Sequence, residues 1–153
     1  MDIIFKKGNT KNTITCKRSE SSSTWMEADR FMIAHDLTHF AVEKQLQIGK
    51  GFYGLVASGL DITDFEKKQK ITPQQLPKES IKTELIVNLI LTERHDGKKF
   101  ESFDEAFNSL SKQFGISNEK FDADDLNKIH SQLNELLNHW AMLPVNESMI
   151  IKL

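Results

Sequence analysis

The strongest pattern in the sequence is an apolar stripe with helical spacing near its C-terminal end. Its members recur mainly at intervals of three and four residues: Leu126, Ile129, Leu133, Leu136, Leu137 and Trp140. This spacing places the six side chains on one face of an α-helix. Pro144 ends the helix, because proline lacks the amide hydrogen that a further turn requires. The stripe has to be buried against other elements, so the rest of the chain must supply a layer that covers it.

Both ends of the chain predict β-strands. Residues 3–5 and 13–18 contain β-branched and aromatic side chains, and Gly8-Asn9 between them favours a turn. We expect a third strand that reaches Trp25 after a serine-rich segment. Residues 148–153 predict a closing strand, which we expect to pair with the N-terminal hairpin.

The start of the first helix has two interpretations. Thr24 and Glu27 match a capping box, which would begin a helix directly after the serines. We favour the strand through Trp25 and a helix that begins between residues 32 and 36. Apolar side chains with helical spacing carry this helix to about Leu46 or Gln47.

The middle of the chain predicts a short helix and a surface connection. Residues 51–59 form an apolar, glycine-containing stretch that fits a short helix ended by Gly59. Residues 61–69 are charged, and a basic run over residues 67–70 is predicted to face solvent. Together with two prolines they indicate a connection on the surface. The lysines and prolines concerned are Lys67, Lys68, Lys70, Pro73 and Pro77.

Two further helices have clear boundaries. The first has an apolar face and ends near Gly97. Ser102 and Glu105 form a second capping-box match, and the helix that it opens ends at Gly115. The apolar face of the first consists of Ile81, Leu85, Ile86, Leu89 and Ile90. These patterns predict an α+β fold, a small antiparallel sheet of N-terminal strands plus the C-terminal strand packed on four or five helices.

Length and composition limit the classes of protein to consider. With 153 residues the chain fits a single domain over 1–153. Its 20 basic and 22 acidic residues give a net charge of −2, so we expect no nucleic-acid partner. No apolar run approaches the roughly 20 residues of a membrane span, and no signal peptide is evident. The single cysteine, Cys16, fits a reducing compartment. We therefore expect a cytoplasmic protein that acts as a monomer or a homodimer.

One motif carries candidate chemistry. His35 and His39 lie four residues apart, so on a helix their Cβ atoms are about 6 Å apart on one face. Two imidazoles in this arrangement can bind one divalent ion, as they do in the zinc motif H-E-x-x-H. Asp36 stands where that motif has glutamate. It is a candidate catalytic base, although its shorter side chain could instead ligate the ion or orient a ligand. Zinc is the expected metal.

The remaining ligand has three candidates. Glu43 lies on the same helix face, but its backbone is roughly 12 Å along the axis from that of His35. His130 lies within the apolar stripe of the last helix and is the favoured candidate. Glu84 is a weaker one. Bound zinc with an open coordination position would make the chain a metal-dependent hydrolase.

Two other functions remain open. The histidines and Asp36 could form a buried hydrogen-bond network that stabilises a non-enzymatic interaction or scaffold domain. Alternatively, Phe52 and Tyr53 could line a pocket for a small molecule beside the histidines, without any metal.

The motif also carries two family resemblances. Residues 35–43, His-Asp-Leu-Thr-His-Phe-Ala-Val-Glu, followed by Gly51-Phe52-Tyr53-Gly54, resemble the signature of a family of small uncharacterised bacterial proteins. The resemblance covers most of the chain, and it implies a bacterial source but no particular activity. His35, Asp36 and His39 also resemble the H-D-x-x-H motif of a zinc-binding family of ubiquinone biosynthesis. That motif has a glutamate twelve residues after the second histidine, where this chain has Gly51.

Overall fold

Four antiparallel strands form one sheet, with spatial order β3-β2-β1-β4. The computed structural model describes residues 1–66, 76–116 and 118–153. The strands are β1 (Asp2–Lys6), β2 (Asn12–Ser19), β3 (Ser22–Ala28) and β4 (Ser148–Lys152). This sheet and the helices described below confirm the predicted α+β class.

The closing strand pairs as predicted. β4 runs antiparallel to β1, with Phe5 opposite Met149. Ile3, Phe5 and Met149 are buried, because alternate side chains of a strand point to the same face of the sheet. The capping-box interpretation at Thr24 and Glu27 is wrong, since both residues lie within β3.

The described residues contain six α-helices. They are α1 (Arg30–Gln45), α2 (Phe52–Ala57), α3 (Ile62–Glu66), α4 (Lys78–Asp96), α5 (Phe103–Ser111) and α6 (Ala123–Met142), and a single 3-10 turn (Lys112–Phe114) follows α5. None of the helices in this described part is long and apolar enough to cross a lipid bilayer.

The helix ends follow their local chemistry. α1 begins earlier than predicted, because the side chain of Asp29 accepts the Met32 amide hydrogen and caps the helix at Arg30. The capping box of α5 is confirmed: the Ser102 hydroxyl accepts the Glu105 amide hydrogen at 3.2 Å.

The charged connection is partly helical. α3 occupies residues 62–66, where the sequence predicts only a surface segment. The predicted solvated lysines Lys67, Lys68 and Lys70, and the connection at Pro73, lie outside the described residues.

α1 lies at the centre of the helical layer. It packs against α4 and α6, and it also contacts α2 and β3. Every residue from Asp36 to Glu43 is buried as a result. The polar side chains of Asp36, His39 and Glu43 therefore lie inside the protein and must find partners there.

Candidate metal centre

The two imidazoles of the motif lie side by side on α1. The ring centroids of His35 and His39 are 4.7 Å apart, and the ring planes are inclined at 60°. The His39 side chain is 3 % exposed and that of His35 is 31 % exposed. One ring is therefore enclosed, while the other borders solvent.

Glu84 of α4 reaches both rings. Its Oε1 lies 3.3 Å from His35 Nε2, and its Oε2 lies 3.0 Å from His39 Nε2. Among the described residues these three form a group whose ligand atoms all lie within 4.8 Å of one another. In a tetrahedral zinc site, ligand atoms about 2.0–2.1 Å from the metal lie about 3.3 Å from each other. The spacing of the three groups is therefore compatible with a shared ion as well as with direct hydrogen bonds.

A second carboxylate holds each ring on its other nitrogen. Glu43 Oε1 lies 3.2 Å from His39 Nδ1, and Asp36 Oδ1 lies 3.4 Å from His35 Nδ1. This leaves the Nε2 edges of both rings facing Glu84. In metal sites a carboxylate on the outer nitrogen fixes the orientation of the ring and increases its basicity.

Glu43 is itself held by the start of α2. Its two carboxylate oxygens accept the amide hydrogens of Tyr53 at 3.2 Å and Gly54 at 3.0 Å. These amides belong to the first turn of a helix, where they have no partner within the helix. The contacts fix the Glu43 carboxylate on the far side of His39 from Glu84, so Glu43 does not join the group of ligand atoms.

Asp36 occupies the corresponding position for His35. Its carboxylate is buried, and it also accepts a long hydrogen bond of 3.5 Å from the Tyr53 hydroxyl. Contact with the Nδ1 side of His35 favours the orienting role over that of catalytic base. Burial, followed by the charge of Asp36, raises the pKa of Tyr53 well above its ordinary value.

The two histidines of the cluster hold their protons strongly. Burial acts to lower the pKa of His35, but hydrogen bonds to Asp36 and Glu84 outweigh it and raise the pKa to about 9. Burial acts in the same way on His39, and hydrogen bonds to Glu43 and Glu84 raise its pKa. Glu84 shifts oppositely: despite burial, hydrogen bonds from the two histidines hold its pKa well below the ordinary range. Three carboxylates thus surround two rings, and none of the described lysines or arginines forms an ion pair with them.

His130 is not part of this group, contrary to the sequence prediction. Its Nε2 lies 2.7 Å from Glu93 Oε2. Glu93 and Glu84 are nine residues apart on α4, which separates their backbones by roughly 13 Å along the axis. The stripe on α6 therefore brings His130 to a different turn of α4, and the weaker candidate Glu84 takes the third position.

An apolar cavity of about 390 Å³ adjoins the Glu84 side of the two rings. Phe52 stands against His39, with ring centroids 5.4 Å apart, and against Phe65 at 4.9 Å. The sequence predicts Phe52 beside the histidines, and Met32 lies three residues before His35 on the same helix face. No local pattern indicates the other lining residues, which come from distant segments. The apolar lining consists of Met26, Met32, Phe52, Ile62, Phe65 and Leu76.

Comparison with known proteins adds no relative. No protein-family model, no curated protein and no solved structure matches this chain. The two family resemblances carried by the His35–His39 motif therefore stay predictions, and any function has to be argued from the site itself.

Proposed function

We propose that this protein binds one divalent metal ion, zinc, through His35 Nε2, His39 Nε2 and a Glu84 oxygen, and uses it for hydrolysis. The observation that carries the proposal is the convergence of these three groups, with the opposite nitrogen of each ring held by a buried carboxylate. Two histidines and one glutamate with a free fourth position are a donor set of catalytic zinc sites. A zinc ion there would polarise a substrate oxygen or lower the pKa of a water molecule.

The protein residues have separate roles in this proposal. His35 and His39 supply neutral nitrogen donors once their Nε2 protons leave, and Glu84 supplies charge. Asp36 and Glu43 orient the rings and balance part of the positive charge of the ion. The cavity beside Glu84 gives a substrate access to the fourth position.

A structural network is the second candidate function. Among the described residues, no buried side-chain nitrogen or oxygen lacks a hydrogen-bond partner. The cluster is thus satisfied without an ion, as expected of a non-enzymatic scaffold domain. In that case the two histidines remain protonated and serve only to join α1 to α4.

Metal analysis distinguishes the two candidate functions. We expect about one zinc ion per chain in protein that is made without a histidine tag in zinc-supplemented medium. His39→Ala and Glu84→Gln should lose the metal. His130→Ala is a matched control, because His130 also pairs with a buried glutamate but has no third metal-ligating group beside it among the described residues.

Glu84→Gln keeps the test informative if His39→Ala fails to fold, because the Glu84 side chain is 49 % exposed. The rate at which a neutral nitrophenyl ester is hydrolysed should rise and fall with the zinc content of the four proteins, which are the wild type and the three variants. Wild-type protein that stays free of zinc, with a melting temperature that a chelator does not change, would leave only the structural network.

A further inference from the structure

We propose that the substrate of this site is a neutral, largely apolar small molecule whose single polar group points at Glu84 and the two histidines. The proposal rests on the proposed function for the identity of the polar end. The apolar end is argued independently, from the composition of the cavity wall.

The cavity has two chemically distinct parts. Its polar residues, His35, Asp36, His39 and Glu84, lie together at one end. Every other described lining residue is apolar, and the set combines methionine, phenylalanine and branched aliphatic side chains. The described part of the wall offers apolar contact but no further hydrogen-bonding side chain, so it favours a ligand with one polar group and an apolar body.

Size restricts the ligand further. A volume of about 390 Å³ is near the lower end of the roughly 300–1,000 Å³ that is usual for small-molecule sites. The space suits a compact molecule of two or three rings, or a short branched chain.

Charge disfavours an ionic group at the polar end of the cavity. The carboxylates of Asp36, Glu43 and Glu84 surround two imidazoles that are neutral when they hold a metal. With a divalent ion the cluster would keep one net negative charge, and the described lining contains neither lysine nor arginine. An anionic ligand would be repelled by the carboxylates and would meet no cationic side chain in the described lining. A cationic group has no lone pair with which to bind the proposed ion.

The flexible part of the wall fits the same ligand. Met26 and Met32 face the cavity from β3 and α1. Methionine side chains adapt to apolar ligands of different shape and make favourable contacts with aromatic rings. Together with Phe52 and Phe65 they indicate an aromatic or unsaturated body.

A pair of fluorescent probes tests this inference. Phenylnaphthylamine is neutral, and anilinonaphthalene sulfonate has the same rings with one added negative charge. We expect the neutral probe to bind zinc-loaded protein at least about tenfold more tightly than the sulfonate. Phe65→Ala should weaken the neutral probe by about tenfold, because the wall loses one aromatic side chain. Phe31→Ala is the control, because Phe31 lies on α1 but is 74 % exposed and does not line the cavity.

The outcomes distinguish this inference from the proposed function. Zinc binding without neutral-probe binding, or equal binding of the two probes, overturns the inference and leaves the metal site intact. Neutral-probe binding that depends on Phe65, in protein that takes up no zinc, overturns the metal site and supports the apolar ligand. Met32→Ala replaces Phe65→Ala if the latter has an altered circular-dichroism spectrum, with the same expected loss of probe affinity.

Discussion

At the scale of single residues, Glu43 fixes the orientation of the His39 ring through a contact with its Nδ1. Its side chain is fully buried, and its two oxygens serve three donors: the His39 ring and the amides of Tyr53 and Gly54. A carboxylate suits this position because it only accepts hydrogen bonds. An amide of the same shape would direct its NH₂ group at one of the donors.

Glu43→Gln is expected to weaken zinc binding by about 10- to 100-fold, the range typical of a lost outer carboxylate. It should also lower the free energy of unfolding by about 1–3 kcal/mol, because a buried donor loses its acceptor. Zinc affinity can be measured by competition with a chromogenic chelator, and stability by urea unfolding.

Glu93→Gln provides the comparison. Glu93 is also buried, accepts the Phe100 amide hydrogen at 2.8 Å and contacts a histidine, His130. This variant should lose similar stability but keep its zinc affinity. Equal zinc affinity in the two variants would show that Glu43 is only a structural carboxylate.

At the scale of secondary-structure elements, Gly51 sets how closely α2 can approach α1. A Cβ atom at this position would lie 2.4 Å from the Glu43 carboxylate carbon and 2.6 Å from its Oε2. The Gly51 backbone is in an ordinary extended conformation, with φ −75° and ψ −165°. The requirement for glycine is therefore one of space, created by a carboxylate that three hydrogen bonds hold in place.

Gly51→Ala should lower the stability of the protein by about 1–3 kcal/mol, the usual cost of added volume in a well-packed region. Because the displaced group is Glu43, zinc affinity should fall with stability. Gly49→Ala is the matched control: a Cβ there meets no atom within 4 Å, so we expect a change within about 0.5 kcal/mol. A Gly51→Ala protein with unchanged melting temperature and zinc content would contradict the close approach.

The same scale explains what the sequence could and could not predict. The proximity of His35 and His39 follows from helical spacing alone. The strands at the two ends of the chain follow from their β-branched and aromatic residues and from the turn at Gly8-Asn9. Glu84 does not follow, because it lies beside the apolar face of α4. Which flank of α4 meets α1 depends on the rotation of that helix within the whole core. His130 lies in a correctly identified apolar stripe, yet its position along α4 depends on how the two helices are aligned, which no local pattern encodes.

At the scale of the whole molecule, the candidate centre joins parts of the chain that are far apart in sequence. His39 and Glu84 are 45 positions apart, and their helices α1 and α4 both contribute to the core. An ion shared by them would bind only the folded chain, since the unfolded chain does not hold the three groups together. Zinc is therefore expected to stabilise the fold in proportion to the logarithm of its free concentration.

The dependence of stability on pH should reverse when zinc is added. In metal-free protein the pKa of His35 is about 9, above the 6.5 of the unfolded chain. A raised pKa contributes stability that is complete below pH 6.5 and is lost as the pH rises through about 9. Zinc needs the deprotonated rings, so the stabilisation that it confers should instead increase with pH. Melting temperatures at pH 6.0, 7.0 and 8.0 should thus fall without zinc, while the increment due to zinc grows over the same range.

Glu84→Gln removes the partner that both rings share, so both trends should become shallower in that variant. A zinc increment that is constant from pH 6.0 to 8.0 would mean that the ion binds elsewhere, at groups that do not titrate with the two histidines.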